Sequence, residues 1–206
     1  KRSKFVHYRP KVAILNNLEY DHADIFPDLA AIETQFHHLI RTIPGNGTII
    51  SNGEDANLEG VLTRGCWSNL QRFSLEGEHE WHVEMLSSDG AKLRFHHLEQ
   101  DMGTLEWDHC GRHNAMNACA AIAATQAVGI PAATAIEALA SFRGVKRRLE
   151  KIAFKNDIHV YDDFAHHPTA IRLTLEGLRR KVGNARILVG LEPRSNTMRA
   201  GVHANE

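Results

Sequence analysis

Cysteine is scarce in this chain: its 206 residues hold three, Cys66, Cys110 and Cys119. An odd count without CxxC spacing excludes a disulfide framework and a zinc knuckle, and buried, reduced thiols are the expectation. No run approaches the roughly 18 consecutive apolar residues of a membrane span, and residues 1–10 lack the apolar core of a signal peptide. Net charge is also missing. Lys and Arg number 24 against 25 Asp and Glu, leaving -1 and no basic field to hold nucleic acid or anionic lipid. Neither a nucleic-acid nor a membrane partner is expected, and a cytoplasmic location is. A phosphate loop of the form GxxxxGK(S/T) is absent. The chain starts on Lys1 rather than Met and stops on AGVHANE with no closing element, so a piece of something longer is expected.

What is present describes a folded α/β protein. Hydrophobic residues make up 43% and charged residues 24%, too apolar for disorder. Lys11 to Asn16 (KVAILN) has the length and branching of a buried strand. Leu29, Ile32, Phe36, Leu39, Ile40 and Ile43 then recur at helical spacing until Pro44-Gly45-Asn46-Gly47. Thr48 to Ser51 follows as a second strand, which makes strand, helix, strand, the unit of a parallel sheet. Between Leu70 and Trp107 short alternating runs (73–75, 81–86, 92–95) predict antiparallel strands on one flank of that sheet. Two helices follow, Asn114 to Val128 and Pro131 to Phe142. A second series comprises strands at 151–154, 158–161 and 186–190 and a helix from Pro168 to Val182. The expected division is one domain over 1–150 and an incomplete one over 151–206.

Four segments carry residues suited to chemistry. Asn16 to Phe26 (NNLEYDHADIF) follows the first strand, where ligands bind in open α/β sheets; Asp21, His22 and Asp24 could meet a divalent ion there or simply make a polar loop. In GRHNAMNACAAIAA, Asn114 and Asn117 share a helical face with His113 at its entry. Amide side chains match the donor and acceptor of an adenine edge, although Asn114 could equally cap the helix. In GVKRRLE and VYDDFAHHPTA, Arg147 or Arg148 could clamp phosphate oxygens, Asp162 or Asp163 could accept from ribose hydroxyls, and His167 could cap the next helix. In LEPRSNTMRAG, Arg194 and Arg199 with Ser195, Asn196 and Thr197 form a cationic rim suited to substrate carboxylates, or an ordinary surface loop. Fourteen histidines, including the pairs His37-His38, His96-His97 and His166-His167, also raise a non-catalytic His-rich metal binder as a reading of another class.

In this order and spacing, NNLEYDHADIF, GRHNAMNACAAIAAT, GVKRRLE, YDDFAHHPTAI and EPRSNTMR resemble the Mur ligases of bacterial cell-wall synthesis along nearly the whole chain. The resemblance implies a partial central ATPase domain, beginning after its phosphate loop, and the start of a Rossmann-like C-terminal domain. It implies ATP and Mg2+, with His22 at the magnesium site and His113, Asn114 and Asn117 at adenine. Arg148 would reach the phosphates, Asp163 would bind ribose, and His167, Arg194, Ser195, Asn196 and Arg199 would hold the incoming amino component. The EYDHADIF and EPRSNTMR versions look like the branch that joins UDP-N-acetylmuramate to the murein tripeptide L-Ala-γ-D-Glu-meso-diaminopimelate. The branch that adds L-alanine is the alternative. The fragment alone is expected to be inactive.

Overall fold

The structure is a computed structural model, and it describes residues 3–193 and 196–202. A one-turn helix, α1 (Phe5–Tyr8), precedes β1 (Val12–Leu15), α2 (Leu29–Ile40), β2 (Thr48–Asn52), α3 (Ala56–Thr63), β3 (Asn69–Ser74), β4 (Trp81–Met85), β5 (Lys92–His97) and β6 (Gln100–Glu106). The six strands form one sheet in sequence order, β1 to β4 parallel and β4 to β6 antiparallel. This is the expected α/β architecture with an antiparallel flank, but the flank is shorter than expected. β3 runs parallel to β2, because α3, unanticipated from the sequence, supplies the crossover between them. β4 also runs parallel to β3, pairing only Phe73 with Trp81 and Ser74 with His82. That stagger lets the short link 75–80 serve where a full crossover would need a dozen or more residues.

Alternation along each strand sends side chains to opposite faces, so Ile49 and Ile50 enter different cores. On one face Ile50, Phe73, Trp81, Val83 and Phe95 pack under α4 (Arg112–Ala127) and α5 (Ala132–Ala140). On the other, Leu15, Ile49, Leu58 and Val61 pack with α2 and α3. The small residues Ala115, Ala118, Cys119 and Ala123 let α4 lie close across β1 to β4. Burial of such side chains is worth about 1.5–3 kcal/mol for each large one. Burial in this apolar layer pushes the Cys119 thiol far up, so it is inert.

The remaining chain forms the hairpin β7 (Glu150–Lys155) and β8 (Ile158–Asp162), then α6 (Pro168–Val182) and the one-turn α7 (Asn196–Arg199). The expected division near residue 150 falls at the start of β7. The strand expected at 186–190 does not form: Leu188 is 79% and Val189 57% exposed, and a buried parallel strand needs neighbours on both sides that the described residues do not supply. α6 packs on the start of α4 through two glycines. A Cβ at Gly177 would lie 2.9 Å from Gly111 Cα, and Gly111 has a φ of 91°. Among the described residues no helix is long and apolar enough to cross a membrane.

Candidate functional site

The loop 16–26 leaves the carboxyl end of β1 and is pinned by α3. Leu18 N–H donates to Asp55 Oδ2 (2.8 Å), the Asn57 amide donates to Leu18 O (2.8 Å) and the Asn52 amide to Asn16 O (2.9 Å). Leu18 itself is 1% exposed, so the loop has an apolar anchor. At its tip His22 takes φ 56°, a left-handed conformation that costs a non-glycine residue about 1–2 kcal/mol. Local hydrogen bonds offset that cost: His22 N–H donates to Asp21 Oδ1 (2.7 Å), and Ile25 and Phe26 N–H donate to His22 O (2.8 and 3.0 Å). The strained turn leaves the imidazole outward, 66% exposed, with Nε2 4.0 Å from Asp21 Oδ2.

The second half of the chain closes on this loop. Thr197, 2% exposed, donates its hydroxyl to Asp21 Oδ1 (2.7 Å) and accepts from Ala23 N–H (3.3 Å). The Asn196 amide donates to Asp24 Oδ2 (2.9 Å), and His166 Nε2 lies 3.7 Å from Asp21 Oδ2. Partial burial pushes the Asp21 carboxyl up, but the Thr197 and His22 N–H hydrogen bonds and the nearby His22 and His166 rings outweigh it and hold the group below its ordinary range. His167 caps α6 as expected: Nδ1 accepts from Thr169 N–H (3.3 Å), and the tautomer this requires lets Nε2–H donate to Tyr20 O (3.3 Å). Glu19 Oε2 accepts from the Thr169 hydroxyl (2.6 Å) and lies 3.4 Å from His167 Nδ1, a contact that turns attractive only when the ring is protonated.

The other candidates gather at the start of α4. His113 Nδ1 is buried without a hydrogen-bond partner among the described residues. Burial lowers its proton affinity, Asp163 raises it and Arg148 lowers it, with a net downward shift, so the ring is neutral near pH 7 and these three groups share one electrostatic neighbourhood. Arg148 is exposed between two left-handed residues, Arg147 (φ 60°) and Leu149 (φ 48°). That segment is held by the start of the next loop. Asp163 accepts from Leu149 N–H (2.6 Å) and Ala165 N–H (2.7 Å), Phe164 N–H donates to Arg147 O (2.8 Å), and the Arg147 guanidinium sits 3.3 Å from Asp162 and 4.9 Å over the Phe164 ring. The first commitment of Asp163 is thus to the backbone around Arg148. Gly111 stands at the N-cap of α4 and no side chain makes a capping bond there, so Asn114 does not cap the helix as the alternative reading expected. Its amide donates back to Cys110 O (2.7 Å), while Asn117 Oδ1 accepts from Asn16 (3.1 Å) and ties α4 to the root of the His22 loop.

The structure therefore brings His22, His167 and Asn196 together around one loop and His113, Arg148 and Asp163 around another, with Asn117 joining α4 to the first. Arg199 is exposed at the end of α7. Arg194 and Ser195 lie outside the described residues. Residue spacing left Thr197 undistinguished on a presumed substrate rim; the structure turns its hydroxyl inward to Asp21, and the same holds for Thr169 and Glu19, whose pairing spans the two halves. A magnesium ion, implied by the resemblance, takes about six oxygen ligands in near-octahedral order. Among the described residues no group of three or more His, Cys, Asp or Glu is arranged to hold a metal, and Asp21 Oδ1 is already engaged twice. These residues do not fit a complete magnesium site, with His22 offering at most one ligand, and a His-rich metal binder finds no support in them either.

Models of the Mur ligase middle domain and of the Mur ligase glutamate ligase domain match residues 1–125 and 147–204. The chain belongs to the Mur ligase family. Among curated Mur ligases it is 49% identical over all of its length to a protein of Haemophilus influenzae and 50% identical over 98% to one of Escherichia coli, each named UDP-N-acetylmuramate–L-alanyl-γ-D-glutamyl-meso-2,6-diaminoheptandioate ligase. It spans 45% and 44% of those two relatives. Relatives named UDP-N-acetylmuramate–L-alanine ligase match at 29–33% identity. The crystal structure of a murein peptide ligase from Psychrobacter arcticus superposes with a TM-score of 0.70 and 46% identity, covering 96% of this chain and 41% of that one.

Proposed function

We propose that this chain is part of an ATP-dependent ligase that joins UDP-N-acetylmuramate to L-Ala-γ-D-Glu-meso-diaminopimelate. The observation that carries this reading is the closure of the two halves on one another. Loop 16–26 of the first half is hydrogen-bonded to Thr197, Asn196 and His167 of the second, while His113 of α4 shares its surroundings with Arg148 and Asp163. Candidates for nucleotide and for acceptor thus lie on segments that are physically coupled. The higher identity to relatives named for the tripeptide acceptor favours it over L-alanine, which remains the second reading.

In the reaction a lactyl carboxylate oxygen of the muramate attacks the γ-phosphorus of ATP, ADP leaves, and an acyl phosphate results. The free amine of the tripeptide then attacks the acyl carbon. The C–O bond to phosphate breaks, the nitrogen loses a proton, and an amide and inorganic phosphate are formed. Arg148 and His22 would stabilise charge on the transferring phosphoryl group, a contribution worth several kcal/mol for groups already in place. Asn114 and Asn117 would meet the adenine edge, with neutral His113 beside them, and Asp163 would set Arg148 in position or reach the ribose. Arg194 and Arg199 would pair with acceptor carboxylates, flanked by Ser195, Asn196 and His167. ATP would arrive as its magnesium complex, the ion coming with the substrate.

The test is ADP release by the full-length protein containing this chain, with UDP-N-acetylmuramate and either tripeptide or L-alanine. Release that requires the tripeptide and yields an amide is expected. Release only with L-alanine establishes the second reading, and none with either acceptor rejects the ligase function.

A further inference from the structure

We propose that Thr197 is a positioning residue for ligation: its buried hydroxyl locks the loop carrying His22 to the segment that would meet the acceptor. The proposal rests on the ligase reading above, in which both segments serve one reaction. One hydroxyl here makes two bonds across the joint between the halves, donating to Asp21 Oδ1 at 2.7 Å and accepting from Ala23 N–H at 3.3 Å. These two partners flank His22, the left-handed residue whose turn aims the exposed imidazole. Asp21 Oδ1 receives the His22 N–H as well, so the same oxygen joins Thr197 to the backbone of the turn. The neighbouring Asn196–Asp24 bond repeats the connection in an exposed position, where water competes for it. Thr197 is 2% exposed and the Asp21 side chain 25%, so water competes less for this bond than for the exposed Asn196–Asp24 one. A segment argued to hold the acceptor thereby sets the angle of a side chain argued to face the phosphates.

Two readouts separate this proposal from the function it rests on. Hydrogen exchange of full-length protein needs no activity. Thr197→Val, which keeps the shape and removes the hydroxyl, should speed exchange of the Ala23 and His22 amides, while Thr197→Ser should leave both near the parent rate. In the tripeptide-dependent ligation assay Thr197→Val should lower kcat by roughly ten- to a hundredfold, as small misplacements do, with KM for ATP changed less than about twofold, and Thr197→Ser should restore most of the loss. If Thr197→Val does not yield folded protein, Asp21→Ala breaks the same bond from the other side and should speed the same amides. Unchanged exchange in the hydroxyl-free variant overturns the proposal whatever the activity, as does a rise in KM for ATP with kcat unchanged. A parent protein inactive with every acceptor rejects the ligase reading, with exchange still reporting on the clasp.

Discussion

Gly177 on α6 faces the backbone of Gly111 with no room for a methyl group. An alanine Cβ there would sit 2.9 Å from Gly111 Cα, 3.2 Å from Gly111 N and 3.5 Å from Cys110 C. Those are backbone atoms, and Gly111 N–H is tied to Asp89 O at 2.7 Å, so the strain is relieved only by moving α6 away from α4. Overpacking of this kind costs about 1–3 kcal/mol, against which alanine returns about 1 kcal/mol of helix propensity over glycine. The net expectation for Gly177→Ala is a loss of up to about 2 kcal/mol. Gly60 in α3 supplies the control. It is exposed and helical with nothing within 4 Å of its would-be Cβ, so Gly60→Ala should gain up to about 1 kcal/mol. Denaturant melts of both variants in one background give the comparison, with unchanged slopes showing that only stability moved. If Gly177→Ala stabilises as much as Gly60→Ala does, α6 does not rest on the start of α4 and the two halves are not joined as described.

His22→Ala in the full-length protein should lower turnover by at least about tenfold with the melting temperature kept, and unchanged steady-state kinetics would remove His22 from the phosphate side. Asn114→Ala should cost about 0.5–1.5 kcal/mol of stability through the lost bond to Cys110 O and weaken ATP binding as well. Lost stability with equal nucleotide affinity by calorimetry would leave Asn114 only as a structural tie to Cys110 O. His113 gives a pH signature. Its folded-state proton affinity is lowered below the ordinary 6.5, so the unfolded chain binds the proton first as the medium is acidified. Its contribution is complete above pH 6.5 and is lost as the pH falls toward the folded value. His113→Gln should therefore flatten that part of the stability profile, and parallel profiles for parent and variant would show that the ring is not held neutral by burial.

Legibility in the sequence followed the range of the forces involved. β1, α2, β2, α4 and α5 announce themselves through their apolar residues, because each contributes to a core on one face of the same sheet, and α6 through its apolar spacing and its cap at His167. α3 was missed since its short run, Ala56–Thr63, offers little periodicity, and its start is set by Asp55, a cap that also holds a distant loop at Leu18. The direction of β3 follows from that helix and was missed with it. The run at 186–190 has the composition of a strand but no neighbour to pair with among the described residues. In the site, residues recognisable as segments (His22, His113, Asn117, Arg148, Asp163) fell into two neighbourhoods. What spacing could not convey was which way a side chain turns. Thr197 reads as one more polar residue on a rim, and only the fold shows its hydroxyl facing Asp21 across 176 residues of chain. Likewise Asp163 reads as a ribose acceptor, and only the left-handed turns on either side of Arg148 explain why its oxygens go to backbone N–H groups.

The fate of one oxygen atom decides whether these segments serve an acyl-phosphate ligase. UDP-N-acetylmuramate carrying 18O in both lactyl carboxylate oxygens, turned over with ATP and tripeptide by the full-length protein, should deliver one labelled oxygen to inorganic phosphate and keep the other in the new amide carbonyl. Phosphate released without label, alongside amide product, would mean that the carboxylate never attacked the γ-phosphorus.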